Sequence, residues 1–182
     1  MELYVVRHGQ TEYNRKNLFQ GHTDIPLNNV GIEQSKKLAS KFRNIELDII
    51  LTSPLKRAIQ TAEYISNVIN VPIKVEEPLI ERFFGNMEGN KNREDFNIKM
   101  MLDYKKNYNK ENAEPIQTLF KRIFSFLDEI KIEYKNKKIA LVTHASVSQA
   151  IECYFNGIPK ECNYEYFESI TLNNCEIRKY IC

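Results

Sequence analysis

The sequence holds little of what several protein classes need. Its four cysteines, Cys153, Cys162, Cys175 and Cys182, include no close pair of the kind used by zinc or redox sites. They are expected to be reduced thiols in a cytoplasmic protein, because a disulfide framework would be odd beside so much ordinary core. No apolar run reaches the length of a membrane-spanning helix. No basic lead followed by an apolar signal core is present at the N-terminus, where residues 2–6 look like a strand from the outset. Charge of one sign is not in excess: 26 lysines and arginines face 24 aspartates and glutamates. That argues against the concentrated basic surface of a nucleic-acid binder, so the cations must act locally. Neither nucleic acid nor membrane is an expected partner. There is no Gly/Ser/Pro-rich linker and no internal repeat, and 182 residues fit a single domain, 1–182.

Periodic patterns are plentiful. Leu55, Ala58, Ile59, Ala62, Ile65 and Ile69 recur at helical spacing. Ser53 is placed to cap that helix, with Pro54 in its first turn. Ile116, Leu119, Phe120, Ile123, Leu127, Ile130 and Tyr134 form a longer helical stripe. Leu38, Ala39 and Phe42 predict a helix after Gly31. Val147, Ile151 and Tyr154 predict another after His144, ending near Gly157. Apolar runs at 3–6, 49–51, 73–75 and 139–142 lack alternation, as strands buried on both faces do. Strands alternating with helices predict a layered α/β domain. Residues 169–172 and 176–181, around Asn173 and Asn174, predict a closing hairpin. Residues 90–115 are Lys- and Asn-rich with Phe96, Met100, Met101, Tyr104 and Tyr108 interspersed, and are either a polar excursion or a cap over the site.

Only three histidines occur, His8, His22 and His144. His8 and His144 each follow a buried-type strand, and ligands of open α/β sheets bind outside the carboxyl ends of strands. Arg7, beside His8, can present paired donors to an anion. Gly9 allows close backbone approach, and Thr11 and Asn14 add neutral donors. Arg57 lies near a helix N-terminus, which itself favours negative charge. Glu81 sits among Leu79, Ile80, Phe83 and Phe84 and is a candidate proton donor to a leaving alkoxide. Glu88 competes for that role, and local composition does not separate the two. His22, in the loop after Gly21, is a candidate substrate contact.

Taken in order, these residues resemble the histidine phosphatase superfamily, also called the phosphoglycerate mutase-like family. The run Arg7, His8, Gly9, Gln10, Thr11, Glu12, Tyr13, Asn14 is similar to the family signature. The likeness continues through Gln20, Gly21, Asp24, Pro26, Leu27, Gly31 and Gln34. It extends through Ser53, Leu55, Arg57, Ala58, Thr61 and Ala62, then Glu81, Phe84, Gly85, Glu88 and Gly89, and ends on Val142, Thr143 and His144. The resemblance implies a three-layer α/β/α sandwich with a mostly parallel central sheet. It implies His8 as a nucleophile that becomes a phosphohistidine, with Arg7, Arg57 and His144 on the phosphoryl oxygens. A charged His144 would serve that role best. It implies Glu81, not Glu88, as proton donor and acceptor. Gly9, Gln10, Thr11, Asn14, Gln20, Gly21 and Ala145 match substrate-binding positions. It implies no metal and no cofactor. Two departures stand out: Ala145 replaces a usual glycine, and Met87 a common tryptophan.

Within the family the mutases grip a carboxylated bisphosphate with paired arginines in a longer middle segment. Here that stretch holds Lys91, Arg93 and Lys99 with no adjacent Arg pair. The expectation is therefore a phosphatase acting on a small phosphorylated metabolite. Phosphoglycerate mutase, a phosphohistidine protein phosphatase and a non-catalytic phospho-ligand sensor are the alternatives. The sequence leaves the substrate open, and the oligomeric state too, a dimer included.

Overall fold

The computed structural model describes residues 1–90 and 96–182. A five-stranded sheet has the order β3-β2-β4-β1-β5. Its strands are β1 (Glu2–Arg7), β2 (Ile49–Thr52), β3 (Ile73–Val75), β4 (Lys138–Thr143) and β5 (Ile177–Ile181). The first four run parallel, and β5 pairs antiparallel with β1. The helices are α1 (Glu12–Lys16), α2 (Asn29–Lys41), α3 (Lys56–Ile69), α4 (Phe96–Met101), α5 (Ile116–Glu133), α6 (Ala145–Asn156) and α7 (Tyr164–Ile170). Among the described residues no helix is long and apolar enough to cross a membrane.

The period-two geometry of strands explains the layers. Along β1, Leu3 and Val5 face the layer of α5, α6 and α7, whereas Tyr4 and Val6 face α2 and α3. In β4, Ile139 and Leu141 take the first face, and Ala140 and Val142 the second. The central strands are therefore apolar at consecutive positions between their polar ends, as their unbroken runs predicted. The β3 run departs from that expectation. It is an edge strand with Val75 48% exposed, because nothing pairs beyond it and its sheet face is only partly covered.

Two local expectations are corrected. Helix α3 starts at Lys56 with Leu55 as N-cap and no side-chain cap; Ser53 lies earlier, and its hydroxyl turns to His144. The closing hairpin does not form. Residues 169 and 170 end α7, which Asn163 caps by accepting from Tyr166 N, and Phe167 buries against Phe120. The later run, β5, finds its partner in β1, since an open sheet edge satisfies more backbone groups than a two-stranded ribbon.

Candidate active site

Three adjacent strand ends build the site. β1 and β4 lie side by side with Arg7 opposite Thr143, so the residues that follow them, His8 and His144, emerge together. Their rings sit 5.0 Å apart between centroids. β2 is the other neighbour of β4, and the turn after it delivers Arg57 in the first turn of α3. Glu81 arrives on the segment after β3, whose Leu79 carbonyl accepts from Thr143 Oγ1 at 2.9 Å.

Arg57 is the hub, only 1% exposed. Its Nε is shared between His8 Nε2 at 3.3 Å and His144 Nδ1 at 3.2 Å. Nη1 donates to the Thr23 carbonyl and Nη2 to the Gly21 carbonyl, at 2.9 and 2.7 Å. The Gln20 amide, with its oxygen toward the guanidinium, accepts at 3.0 Å and donates to Thr11 Oγ1 at 2.8 Å. Burial pulls the Arg57 pKa down to about 10, opposed by Glu81, Asp24 and Glu88, so the group stays charged at neutral pH.

Both histidines are neutral. Burial, then the charge of Arg57, holds each ring well below the usual histidine range. Hydrogen bonds fix the tautomers. His8 Nδ1 donates to the Gly9 carbonyl at 2.7 Å, leaving the Nε2 lone pair to face Arg57 Nε at a long 3.3 Å. His144 Nε2 donates to Ser53 Oγ at 2.7 Å, leaving Nδ1 to accept from Arg57.

The two competing carboxylates are separated by tertiary contacts. Glu81 lines the cavity and is 6% exposed. Its Oε1 accepts from Arg82 N at 2.8 Å, and Oε2 keeps only a long 3.4 Å contact with Ser146 N. Glu88 faces away. It accepts from His22 N, Thr23 N, Thr23 Oγ1 and Phe84 N, which ties down the turn that offers its carbonyls to Arg57. Gly21 in that turn has φ +47°, and a Cβ there would lie 1.9 Å from Glu88 Oε1.

Arg7, His8, Asn14, Gln20, Gly21, Arg57, Glu81 and Ala145 line one cavity of about 770 Å³, counted to its open mouth. Arg7 is braced by the Leu172 carbonyl at 2.7 Å. Asn14 uses Oδ1 for Thr11 N. Ala145 opens α6 without a left-handed backbone, so the glycine usual in the family is not required here. Other predicted residues stand behind the wall. Gly9 N donates to Thr61 Oγ1, Gln10 N to Gln34 Oε1, and Thr11 caps α1. His144 is fully buried behind Arg57. His22 is not a wall residue either; its Nε2 donates to the Glu81 carbonyl at 2.9 Å. Lys91 and Arg93 fall outside the described residues. Lys99 turns from the cavity to Glu165.

Sequence reasoning assigned no site role to the rest of the lining. Leu18, Phe19, Phe84, Ile98, Met101 and Leu102 are its apolar members, and Ser146, Gln149, Glu168 and Thr171 its polar ones. Met101 in the 90–115 segment was the one available signal. The others carry no local pattern that distinguishes cavity from core.

Comparisons with known proteins identify the chain's family. The chain is 33% identical over 176 residues to the uncharacterized phosphatase PhoE of Bacillus subtilis, covering 94% of this chain and 86% of that protein. It is 35% identical over 164 residues to the putative phosphoserine phosphatase 2 of Hydrogenobacter thermophilus, covering 87% and 80%. A mutant phosphoserine phosphatase of Entamoeba histolytica, solved in complex with phosphoserine, superposes with a TM-score of 0.85 at 27% identity, over 99% of this chain and 90% of that one. The sequence profile described as "Histidine phosphatase superfamily (branch 1)" matches residues 3–181. The chain belongs to the histidine phosphatase superfamily, with that family's phosphoglycerate mutase-like fold.

Proposed function

We propose that this phosphoric monoester hydrolase carries the phosphoryl group in transit on His8. The observation that supports it best is the fixed tautomer of His8. Nδ1 is held by the Gly9 carbonyl, so Nε2 presents its lone pair in a cavity shared with Arg7, Arg57 and Glu81. In the first step Nε2 attacks phosphorus and the P–O bond to the alcohol breaks. Glu81, protonated on Oε2, gives its proton to the departing oxygen. In the second step water attacks the phosphohistidine, Oε2 takes the water's proton, and the P–N bond breaks to release phosphate. Splitting the reaction this way replaces one hard step with two easier ones.

Charge neutralisation carries most of the catalysis in phosphoryl transfer. Arg7 and Arg57 are fixed by backbone carbonyls, so they need little rearrangement. A phosphoryl dianion beside His144 favours a proton on Nδ1, which converts the neutral ring into a donor when it is useful. Asn14, Gln20, Gly21 and Ala145 complete the phosphate pocket. Gly9, Gln10 and Thr11 hold its floor.

We assign residues 1–182 to one domain and the 90–115 segment to a cap, because α4 places Ile98 and Met101 on the cavity wall. Such a cap suits a small metabolite better than a protein substrate. The test is phosphate release from a panel of phosphorylated metabolites, with acid-labile phosphoenzyme trapped on mixing. His8→Ala is expected to abolish both signals. Rapid interconversion of the phosphoglycerate isomers with negligible phosphate release would establish the mutase reading instead. Tight phosphate binding with no turnover would establish the sensor.

A further inference from the structure

The phosphate-binding residues of the cavity are accounted for above, but part of its lining is not. Phe84, Ile98 and Met101 are apolar members of that remainder. Others are polar: Gln149 Nε2 donates to Thr171 Oγ1 at 2.5 Å, and Glu168 lies one turn before Thr171 on α7. Glu168 is exposed, and no described residue makes a hydrogen bond or ion pair with its carboxylate. Nearby cations are engaged elsewhere. Lys99 pairs with Glu165 at 3.6 Å and lies over the Tyr164 ring. Arg178 pairs with Glu152 at 2.8 Å and donates to the Ile170 carbonyl. Among the described lining residues the cations are Arg57 and Arg7, and Arg7 Nη1 donates to the Leu172 carbonyl beside Thr171.

We propose that Glu168 selects the leaving group by its charge, so that the enzyme favours phosphate esters of amino alcohols over those of hydroxy acids. This rests on the phosphatase reading and extends it. The phosphoryl group is anchored by Arg7 and Arg57, so a leaving group that extends to Glu168 meets a carboxylate with no partner among the described residues. An ammonium group there is attracted and a carboxylate repelled. At a separation near 5 Å, even the dielectric of water gives about a fourfold change in affinity for each sign. The two signs together make roughly a tenfold preference once salt screening is allowed for. The apolar lining residues Phe84, Ile98 and Met101 accept the carbon chain without competing for the charge.

The experiment compares matched esters at two chain lengths: the phosphates of ethanolamine and aminopropanol against those of glycolate and hydroxypropionate. The quantity read is the ratio of kcat/KM for the ammonium ester to that for the carboxylate ester. It is measured in the wild type, Glu168→Gln and Glu168→Lys, so that intrinsic leaving-group reactivity cancels between enzymes. Glu168→Gln should lower the ratio about tenfold and Glu168→Lys further, mainly through KM. In the wild type alone, raising salt from about 0.05 to about 0.5 M should shrink the ratio, which keeps the test independent of variant folding. A ratio constant within about twofold across the three enzymes, or no hydrolysis of these esters while p-nitrophenyl phosphate is cleaved, would overturn the role of Glu168 alone. Failure of the wild type to cleave p-nitrophenyl phosphate as well would overturn the phosphatase reading and this proposal with it.

Discussion

Replacing Glu88 with glutamine tests how the site holds Arg57. The Glu88 carboxylate receives four donors: His22 N at 2.8 Å and Phe84 N at 3.2 Å on Oε1, Thr23 N at 2.7 Å and Thr23 Oγ1 at 2.5 Å on Oε2. A glutamine oxygen can keep one pair. Its NH₂ then faces the other, where the Thr23 hydroxyl can rotate to accept but the Thr23 N–H cannot. One donor left unmet costs about 1–3 kcal/mol, and the lost charge assistance on the surviving bonds adds roughly 1 kcal/mol. The expected destabilisation is therefore about 2–4 kcal/mol, or roughly 4–16 °C in Tm for a domain of this size. The same turn supplies the Gly21 and Thr23 carbonyls to Arg57, so loosening it should also reduce phosphate binding and lower kcat/KM at least about tenfold. Glu81→Gln is the comparison. Glu81 makes one good hydrogen bond and one long one, so its loss should abolish turnover with only a small change in Tm. Thermal unfolding and steady-state kinetics on both variants separate the carboxylates. A Glu88→Gln enzyme with wild-type Tm and kcat/KM within about twofold would refute the reasoning.

Acid should destabilise the protein through His8 and His144. Both rings stay neutral when folded but take up a proton when unfolded below about pH 6.5, so the unfolded state binds more protons there. Their contribution is complete above that pH and falls by about 1.4 kcal/mol per histidine for each unit below it, down to the lowered folded values. Urea midpoints measured from neutral pH to about pH 5.5 should show this slope, and it should halve in His144→Gln; identical slopes in the two proteins would count against the neutral pair. Gly31→Ala should destabilise although alanine favours helices. The added Cβ would lie 2.1 Å from the Gln10 carbonyl oxygen and 2.7 Å from Gln10 N, both backbone atoms two residues beyond His8. An overpacking cost of roughly 1–3 kcal/mol exceeds the helix gain of about 1 kcal/mol. Calorimetry reads the outcome, and an unchanged or raised Tm would show that the two segments can separate freely.

The layered fold was legible because burial on both faces leaves an unbroken apolar run, and burial on one side leaves a helical stripe. Those patterns placed β1, β2, β4, α3, α5 and α6. They also placed β3 but not its exposure, since an edge position exposes what the sequence shows as apolar; they failed for residues 169–172, where a short apolar run fits a helix end as well as a strand. His8 and His144 were also legible, since a residue type rare in this chain followed two such runs. What the sequence by itself determined is the set of strand ends and the chemistry standing on them. Local composition left Glu81 and Glu88 equal and the family resemblance named Glu81, but only tertiary structure supplies the physical difference between them. Glu81 and Glu88 share one segment and one kind of neighbour, and they differ in the partner each meets: the cavity and Ser146 for one, the Gly21–Thr23 turn for the other. Tertiary structure alone also brought Glu168 to the cavity and set the lowered pKa of both histidines. Charge and burial at a site are sums over groups distant in sequence, and only the fold brings those groups within range.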